Sequence, residues 1–444
     1  MHKRNNNYVW VILTVILLIV LVCGGWFLHS KQQAAAAQKQ LQAVLNKAKR
    51  THHGDVVLTH VHGATILYLL PKSVHTPSAT VRRSAKAELP ETGRARAVIA
   101  TVTREPGTLG LTAERANYTS YHATARHLFE HDDTDDNGVM LNAKTGQPAT
   151  LADIVPNDYC RRAIDYAAKE ELAGRHDLSA DAIQTLLAKP LLASMAARNF
   201  RLTRDSLTIT TLGGHTLATI PLSHIDMYLR GGKSKQMPGK VVALTFDDGP
   251  NVKTTPSILK TLAAAHAKAT FFMVGTGLTT YPDVARQVES AGHEIGIHTF
   301  DHKYLPGLTP AAARDEIYGK MTNTYYKVFG KLPVMLRPPY GAISKPVATE
   351  EDLPAIQWSV DSQDWKSKNA KAVLARISTT TYDGSIILMH DTQPASVQAL
   401  PQVIKMLKAR GYRFVTVSQL LGQRLLPGHQ YFGRGDERLV NNAK

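Results

Sequence analysis

The 444-residue sequence predicts an α/β fold for its C-terminal part, preceded by an α+β region and an apolar N-terminal helix. Three observations predict it. An uncharged run of 21 residues, Tyr8 to Leu28, stands near the start of the chain. Residues 52–230 then alternate between period-two and helical spacing in separate blocks. Beyond Met237-Pro238, short apolar runs and amphipathic stretches take turns, the pattern of parallel strands joined by helical crossovers.

Composition narrows the class. Hydrophobic residues make up 43% and charged residues 20%, which is globular and excludes a disordered or fibrous chain. The two cysteines, Cys23 and Cys160, cannot build a disulfide framework or an all-cysteine zinc module. A net charge of +16 implies an anionic partner: nucleic acid, a membrane surface or a cell-wall polymer. Its distribution helps to choose. Residues 1–50 carry seven Lys/Arg and no Asp/Glu, whereas no stretch interleaves cations with aromatics as a nucleic-acid stripe does. No nucleic-acid partner is expected.

Tyr8–Leu28 is long enough to cross a bilayer core of roughly 30 Å. A cleaved signal peptide is the rival reading, because Lys3 and Arg4 supply a basic start. The run exceeds the roughly 7–15 residues of a signal core and no A-x-A site ends it, although Ala34–Ala37 offers a late one. Val22 stands before Cys23 where a lipobox needs a small residue. An uncleaved anchor over 8–28 is therefore expected, with a short tail over 1–7. Lys31, Lys39 and Lys47 nearly balance Lys3 and Arg4, so flanking charge alone does not orient it. Residues 29–51, rich in Ala, Gln and Lys, read as a helical stalk.

Residues 52–230 read as one α+β accessory domain. VVLTHVHGATILYLL and ARAVIATVTRE alternate as strands, Asp158 to Arg198 has helical spacing, and NFRLTRDSLTITTLGG returns to strand and turn. Asp133-Thr-Asp135-Asp-Asn137-Gly138 opens like a calcium loop, but Lys144 occupies the twelfth position where a bidentate Glu is needed. An acidic turn between strands is expected there. Residues 231–238 form a Gly/Lys/Ser linker.

Over 239–425 the expected strands are VVALTF, ATFFMVG, HEIGIH, PVMLRP, AIQWSV, SIILMH and RFVTV. Seven strands in this span suit an incomplete barrel, with an open doubly wound sheet as the alternative. Residues 426–444 read as a C-terminal tail. The reactive side chains fall at strand ends: Asp247 and Asp248 at the first, His298 at the third, Arg337 at the fourth, Asp361 at the fifth and His390 at the sixth. In a parallel sheet those ends share one face, where sites assemble. His298 and His302, four apart, make with one carboxylate a ligand set that leaves positions open for water and substrate. That suits catalytic zinc, and non-haem iron uses similar ligands. The neighbouring Asp is then free to act as base. His390 can protonate a leaving nitrogen if Asp364 or Asp361 holds its tautomer. His293 is assigned nothing.

Five segments carry a resemblance. Thr245-Phe-Asp-Asp-Gly249, His298-Thr-Phe-Asp-His302, Arg337-Pro-Pro-Tyr340, Asp361-Ser-Gln-Asp-Trp365 and Leu388-Met-His-Asp391 resemble, in order and intact, the motifs of the polysaccharide deacetylases, the NodB-homology family 4 carbohydrate esterases. The resemblance implies a distorted (β/α) barrel and divalent-metal deacetylation of N-acetylated sugars. It implies Asp247 as base, Arg337 orienting it, and Asp248, His298 and His302 as ligands of Zn2+, or of Co2+, Mn2+ or Ni2+. It further implies His390 as acid, Asp364 supporting it, and the Tyr340 N–H as an oxyanion donor. Pro339, Trp365 and Leu388 would contact substrate, while Asp301, Asp361 and Asp391 keep structural roles.

The phrases Lys144-Thr-Gly146, Leu151-Ala-Asp-Ile154 and Asn199 to Leu207 are similar to an extracytoplasmic domain that precedes the catalytic domain in some Gram-positive peptidoglycan deacetylases. A related domain occurs in lysozyme-sensing anti-sigma factors. Together these resemblances imply residues 1–7 in the cytoplasm and the catalytic domain on the cell-wall side. The activity implied is deacetylation of N-acetylglucosamine in peptidoglycan, with lysozyme resistance as its consequence. The alternatives are N-acetylmuramic acid, poly-N-acetylglucosamine, chitin oligomers or acetylxylan as substrate, or a wall-binding or lysozyme-sensing protein with an inactive catalytic domain.

Overall fold

The computed structural model describes residues 6–441 apart from 73, 176, 212–214, 351 and 423–424. Lys3, Arg4, the Gly213-Gly214 turn and Lys444 therefore lie outside the described residues. Two compact units make up the chain, Met1–Ala149 and Thr150–Lys444.

In the first unit a single helix, α1 (Asn6–Thr51), runs through both the expected anchor and the expected stalk. It is the one described helix long and apolar enough to cross a membrane, and its apolar side chains from Trp10 to Leu28 are exposed. The second half behaves differently. Ala37, Leu41 and Leu45 recur every fourth residue, the spacing of one helix face, and are buried with Leu67, Leu69, Ala97, Ile99 and Tyr121. Residues 29–51 are thus built into the core of the unit, and each buried leucine contributes about 1.5–3 kcal/mol.

Those partners belong to a five-stranded sheet in sequence order: β1 (Asp55–Val61), β2 (Ala64–Leu70), β3 (Ala95–Pro106), β4 (Leu111–Ala123) and β5 (Leu128–Asn142). β2 and β3 are parallel, which needs a crossover. Helix α2 (Ala79–Ala87) supplies it, capped where the Val81 N–H donates to Ser78 Oγ at 3.2 Å. The acidic segment expected as a turn is instead inside β5. Asp133, Thr134 and Asp135 pair with Tyr118, Asn117 and Ala116, and a bulge carries the chain on to Val139 opposite Glu114.

The second unit begins earlier than the linker at 231–238 suggests. Tyr166, Ala173, Ile183 and Leu187 share one apolar core with Phe246, Ile258 and Leu332. The Tyr166 hydroxyl donates to the Pro333 carbonyl at 2.8 Å, and Arg162 pairs with Asp352 at 3.0 Å. Residues 150–230 hold the helix Asp158–Arg175 and a three-stranded sheet: β6 (Phe200–Leu202), β7 (Ser206–Thr210) and β8 (Thr216–Pro221). This segment therefore packs with the strands and helices C-terminal to it, because the apolar faces read as an independent core are complementary to the second unit.

The remaining strands are β9 (Val241–Asp247), β10 (Ala269–Met273), β11 (Glu294–Ile297), β12 (Ala355–Ile356), β13 (Val360–Asp361), β14 (Ile386–His390), β15 (Arg413–Phe414), β16 (His429–Gly433) and β17 (Asp436–Leu439). Five run parallel in the order β11-β10-β9-β14-β13, and β15 also pairs with β9. Every residue of β9 is buried, as a central parallel strand covered on both faces requires.

Among the described residues the sheet does not close into a barrel. Only single bridges at Leu336, to Ile297 and to Ala355, lead from β11 towards β12. The expected PVMLRP strand shrinks to that one residue, since Pro333, Pro338 and Pro339 have no N–H to give a ladder. β12, β13 and β15 are two residues each, too short to carry the hydrogen bonding round. The expected tail is in fact structure: β16 pairs with β12 and β17, and Tyr431 is fully buried.

Candidate active site

Parallel pairing brings the reactive residues to one end of the sheet. Asp247 ends β9 and pairs across the ladder with His390, which ends β14. His298 follows β11, Arg337 follows the bridge at Leu336, and Asp364 comes just after β13. Asp248, Thr299, His302 and Tyr340 have φ between 61° and 71°, a left-handed backbone that non-glycine residues adopt at some cost. The chain is held in these turns where the side chains converge.

Asp248, His298 and His302 each offer one ligand atom within 4.8 Å of the others. His302 Nε2 lies 3.4 Å and His298 Nε2 3.6 Å from Asp248 Oδ1. His298 Nδ1–H donates to the Arg337 carbonyl at 2.6 Å, so its Nε2 keeps a lone pair aimed at Asp248. Burial, the largest influence, drives the His298 pKa down to about 3 against the pull of Asp248, leaving the imidazole neutral. Asp248 Oδ1 is buried without a hydrogen-bond partner. Two imidazole nitrogens and one carboxylate oxygen, itself an orphaned buried acceptor, fit a divalent metal with open positions.

Arg337 is wholly buried beside this triad. It donates to Asp247 Oδ1 and Thr245 Oγ1, both at 2.7 Å, to the Gln357 carbonyl at 2.9 Å and to the Ile356 carbonyl at 3.1 Å. Its guanidinium also lies 4.1 Å from the Phe272 ring centroid. The fork is thereby fixed and Asp247 with it. Burial raises the Asp247 carboxyl above the usual range, with the charges of Arg337 and His390 opposing. Asp247 Oδ2 is 3.7 Å from His298 Nε2, so it faces the triad.

On the other side stands Asp364, fully buried and saturated. Oδ1 accepts His390 Nδ1–H and the Trp365 N–H, each at 2.8 Å. Oδ2 accepts the His390 backbone N–H at 2.7 Å and the Ser396 hydroxyl. Burial works against the Asp364 charge, but the His390 and Ser396 bonds prevail and hold its carboxyl below the usual range. Burial also opposes charge on His390, yet the Asp364 hydrogen bond and the nearby carboxylates lift it to about 9. His390 Nε2 is left as a charged donor.

The other expected positions divide between the two sides. Pro339 and Tyr340 form a turn over the triad, with the Tyr340 ring 4.8 Å from that of His302. Leu388 stands two residues before His390 in β14 and so shares its face, and Trp365 is half exposed beside Asp364. Asp361 Oδ1 accepts the Gln363 N–H at 2.8 Å, and Asp301 pairs with Lys303 at 3.0 Å. Asp391 is buried, accepts from Thr255 Oγ1 at 2.7 Å and gives its N–H to the Asp247 carbonyl at 3.1 Å. Burial raises its carboxyl to about 7. A Cβ on Gly249 would fall 2.0 Å from Asp391 Oδ2, so only glycine fits that turn. His293 accepts the Ala269 N–H at 3.1 Å inside the core, away from these contacts.

Sequence reasoning missed Ser396 and Thr245. Thr245 opens the first motif, but its hydroxyl role needs the buried Arg337 to be visible. Ser396 lies in the helix Pro394–Ala409 and has no motif spacing to betray it.

Residues 234–354 match the family model described as polysaccharide deacetylase. The chain is 34% identical over 320 residues, 68% of each chain, to the Listeria monocytogenes peptidoglycan-N-acetylglucosamine deacetylase PgdA. It is 38% identical over 181 residues, 41% of this chain and 38% of the relative, to the Bacillus subtilis peptidoglycan-N-acetylmuramic acid deacetylase PdaC. A solved structure of PdaC from Bacillus subtilis aligns with 38% identity over 41% of this chain and 89% of that one, at a TM-score of 0.40.

Proposed function

The chain belongs to the polysaccharide deacetylase family, and from that premise we propose that it removes the acetyl group from N-acetylglucosamine residues of peptidoglycan. Water cleaves the amide, acetate leaves, and a glucosamine amine remains. The observation that carries this reading is the triad of Asp248, His298 and His302 between two anchored groups, Asp247 on Arg337 and His390 on Asp364. The similarity to the Listeria monocytogenes enzyme supports the sugar.

Asp248, His298 and His302 would hold the metal, and Zn2+ suits this donor set, with Co2+, Mn2+ or Ni2+ as alternatives. Such an ion supplies carbonyl polarisation and a more acidic water when bound. Asp247 takes the proton of the attacking water, and Arg337 keeps its carboxylate aimed at that water. The Tyr340 N–H donates to the oxyanion that develops on the acyl oxygen. His390 delivers a proton from Nε2 to the departing nitrogen, while Asp364 holds Nδ1–H and stabilises the imidazolium. Pro339, Trp365 and Leu388 line the acetyl and sugar contacts.

The α1 run from Tyr8 to Leu28 supports single-pass anchoring, and the peptidoglycan substrate proposed here calls for the catalytic unit on the wall side. Amines exposed along the glycan there add positive charge and weaken lysozyme attack. The similarity to PdaC favours N-acetylmuramic acid as the second reading. Incubating the full chain with peptidoglycan, then digesting with muramidase and weighing the fragments, separates the two. Loss of acetyl from glucosamine supports the proposal; loss from muramic acid alone, or acetate from neither sugar, refutes it.

A further inference from the structure

Besides Tyr340 and Trp365, a third exposed aromatic stands at the site without a role. Tyr304 is 48% exposed, two residues after His302, and its ring lies 6.2 Å from that of Tyr340. Tyr340 in turn packs edge-on to His302 at 4.8 Å, so the three rings form a continuous run outward from the triad. The backbone beneath Tyr304 is tightly held. Lys303 Nζ reaches the buried Glu316 at 2.8 Å, the Asp301 N–H donates to Glu316 at 3.2 Å, and Leu305 is fully buried. A fixed segment therefore presents an aromatic face to solvent.

The geometry points to Tyr304, together with the ring of Tyr340, as a stacking wall for a pyranose ring neighbouring the one whose acetamide lies at the triad. This rests on the deacetylase reading above. Pyranose rings expose C–H faces, and a rigid amphipathic ring binds such a face at small entropic cost. Tyr304 lies on the β11 side and Trp365 on the β13 side, at the two edges of the five parallel strands. The glycan then crosses the sheet end between two aromatic lips, and the site takes an oligosaccharide segment in preference to a single sugar. Binding energy gained away from the reacting amide serves to position it.

The test measures kcat/KM of the detergent-solubilised full chain on β-1,4-linked N-acetylglucosamine oligomers from dimer to pentamer, for wild type, Y304A and Y304F. In Y304A the pentamer-to-dimer ratio of kcat/KM is expected to fall about threefold to tenfold. Y304F keeps the ring and should restore the wild-type ratio. A Y304A ratio equal to wild type, or a Y304F ratio as low as that of Y304A, overturns the stacking wall. Wild-type chain that releases no acetate from any oligomer or from peptidoglycan overturns the deacetylase reading and this inference with it.

Discussion

Two histidines on opposite sides of the site, His298 buried and His390 partly so, have their protonation driven in opposite directions. His298 is held down to about 3 and His390 up to about 9. Burial penalises the imidazolium in both cases, so the difference lies in what each Nδ1 meets. His298 gives its proton to the neutral carbonyl of Arg337, which fixes a tautomer without rewarding a positive charge. His390 gives its proton to the Asp364 carboxylate, which rewards it strongly. One partner atom thus separates a neutral imidazole from a charged one.

That comparison breaks most sharply at the triad. Asp248→Ala removes the shared oxygen facing both imidazoles, and kcat/KM is expected to fall about a thousandfold or more with loss of bound metal. Metal analysis beside acetate release checks both halves. His390→Ala should cost about 10²–10⁴ in kcat while metal content stays near wild type, which separates the two sides directly.

Asp364→Asn sharpens the comparison, because it gives His390 a neutral partner like that of His298. With its pKa raised, His390 carries its proton at neutral pH and loses it as pH rises through about 9, so activity falls on that alkaline limb. In Asp364→Asn the limb should move to lower pH and kcat drop about 10–100-fold, as read from pH–rate profiles. The smallest effect is expected from Ser396→Ala. Losing one hydroxyl donor to a buried carboxylate should cost about 1.5 kcal/mol of stability in denaturant melts, with metal binding retained.

Most of the site was legible because its residues sit at the ends of strands with a strong apolar signature. Asp247, His298 and His390 could be placed on one face from parallel pairing alone, and the motifs supplied Arg337 and Asp364. Ser396 was not legible, since a hydroxyl at the start of a helix is ordinarily just helix, and only the chain's return past Asp364 gives it a task. The accessory region shows the same limit on a larger scale. The helical spacing of Asp158 to Arg198 revealed an apolar face, but spacing does not say which surface covers it, and Tyr166 and Leu187 joined the second unit's core. The ladder stays open, as an incomplete barrel allows, for a local reason: prolines around Leu336 and two-residue strands cannot sustain a closed one.

The central claim, that Asp248, His298 and His302 form a single metal-dependent hydrolytic centre, is tested most directly by titrating metal-stripped full chain with Zn2+ while following acetate release from peptidoglycan. No release is expected without metal, followed by a rise to a plateau at one equivalent per chain. Acetate release by the metal-free chain at the plateau rate would contradict it.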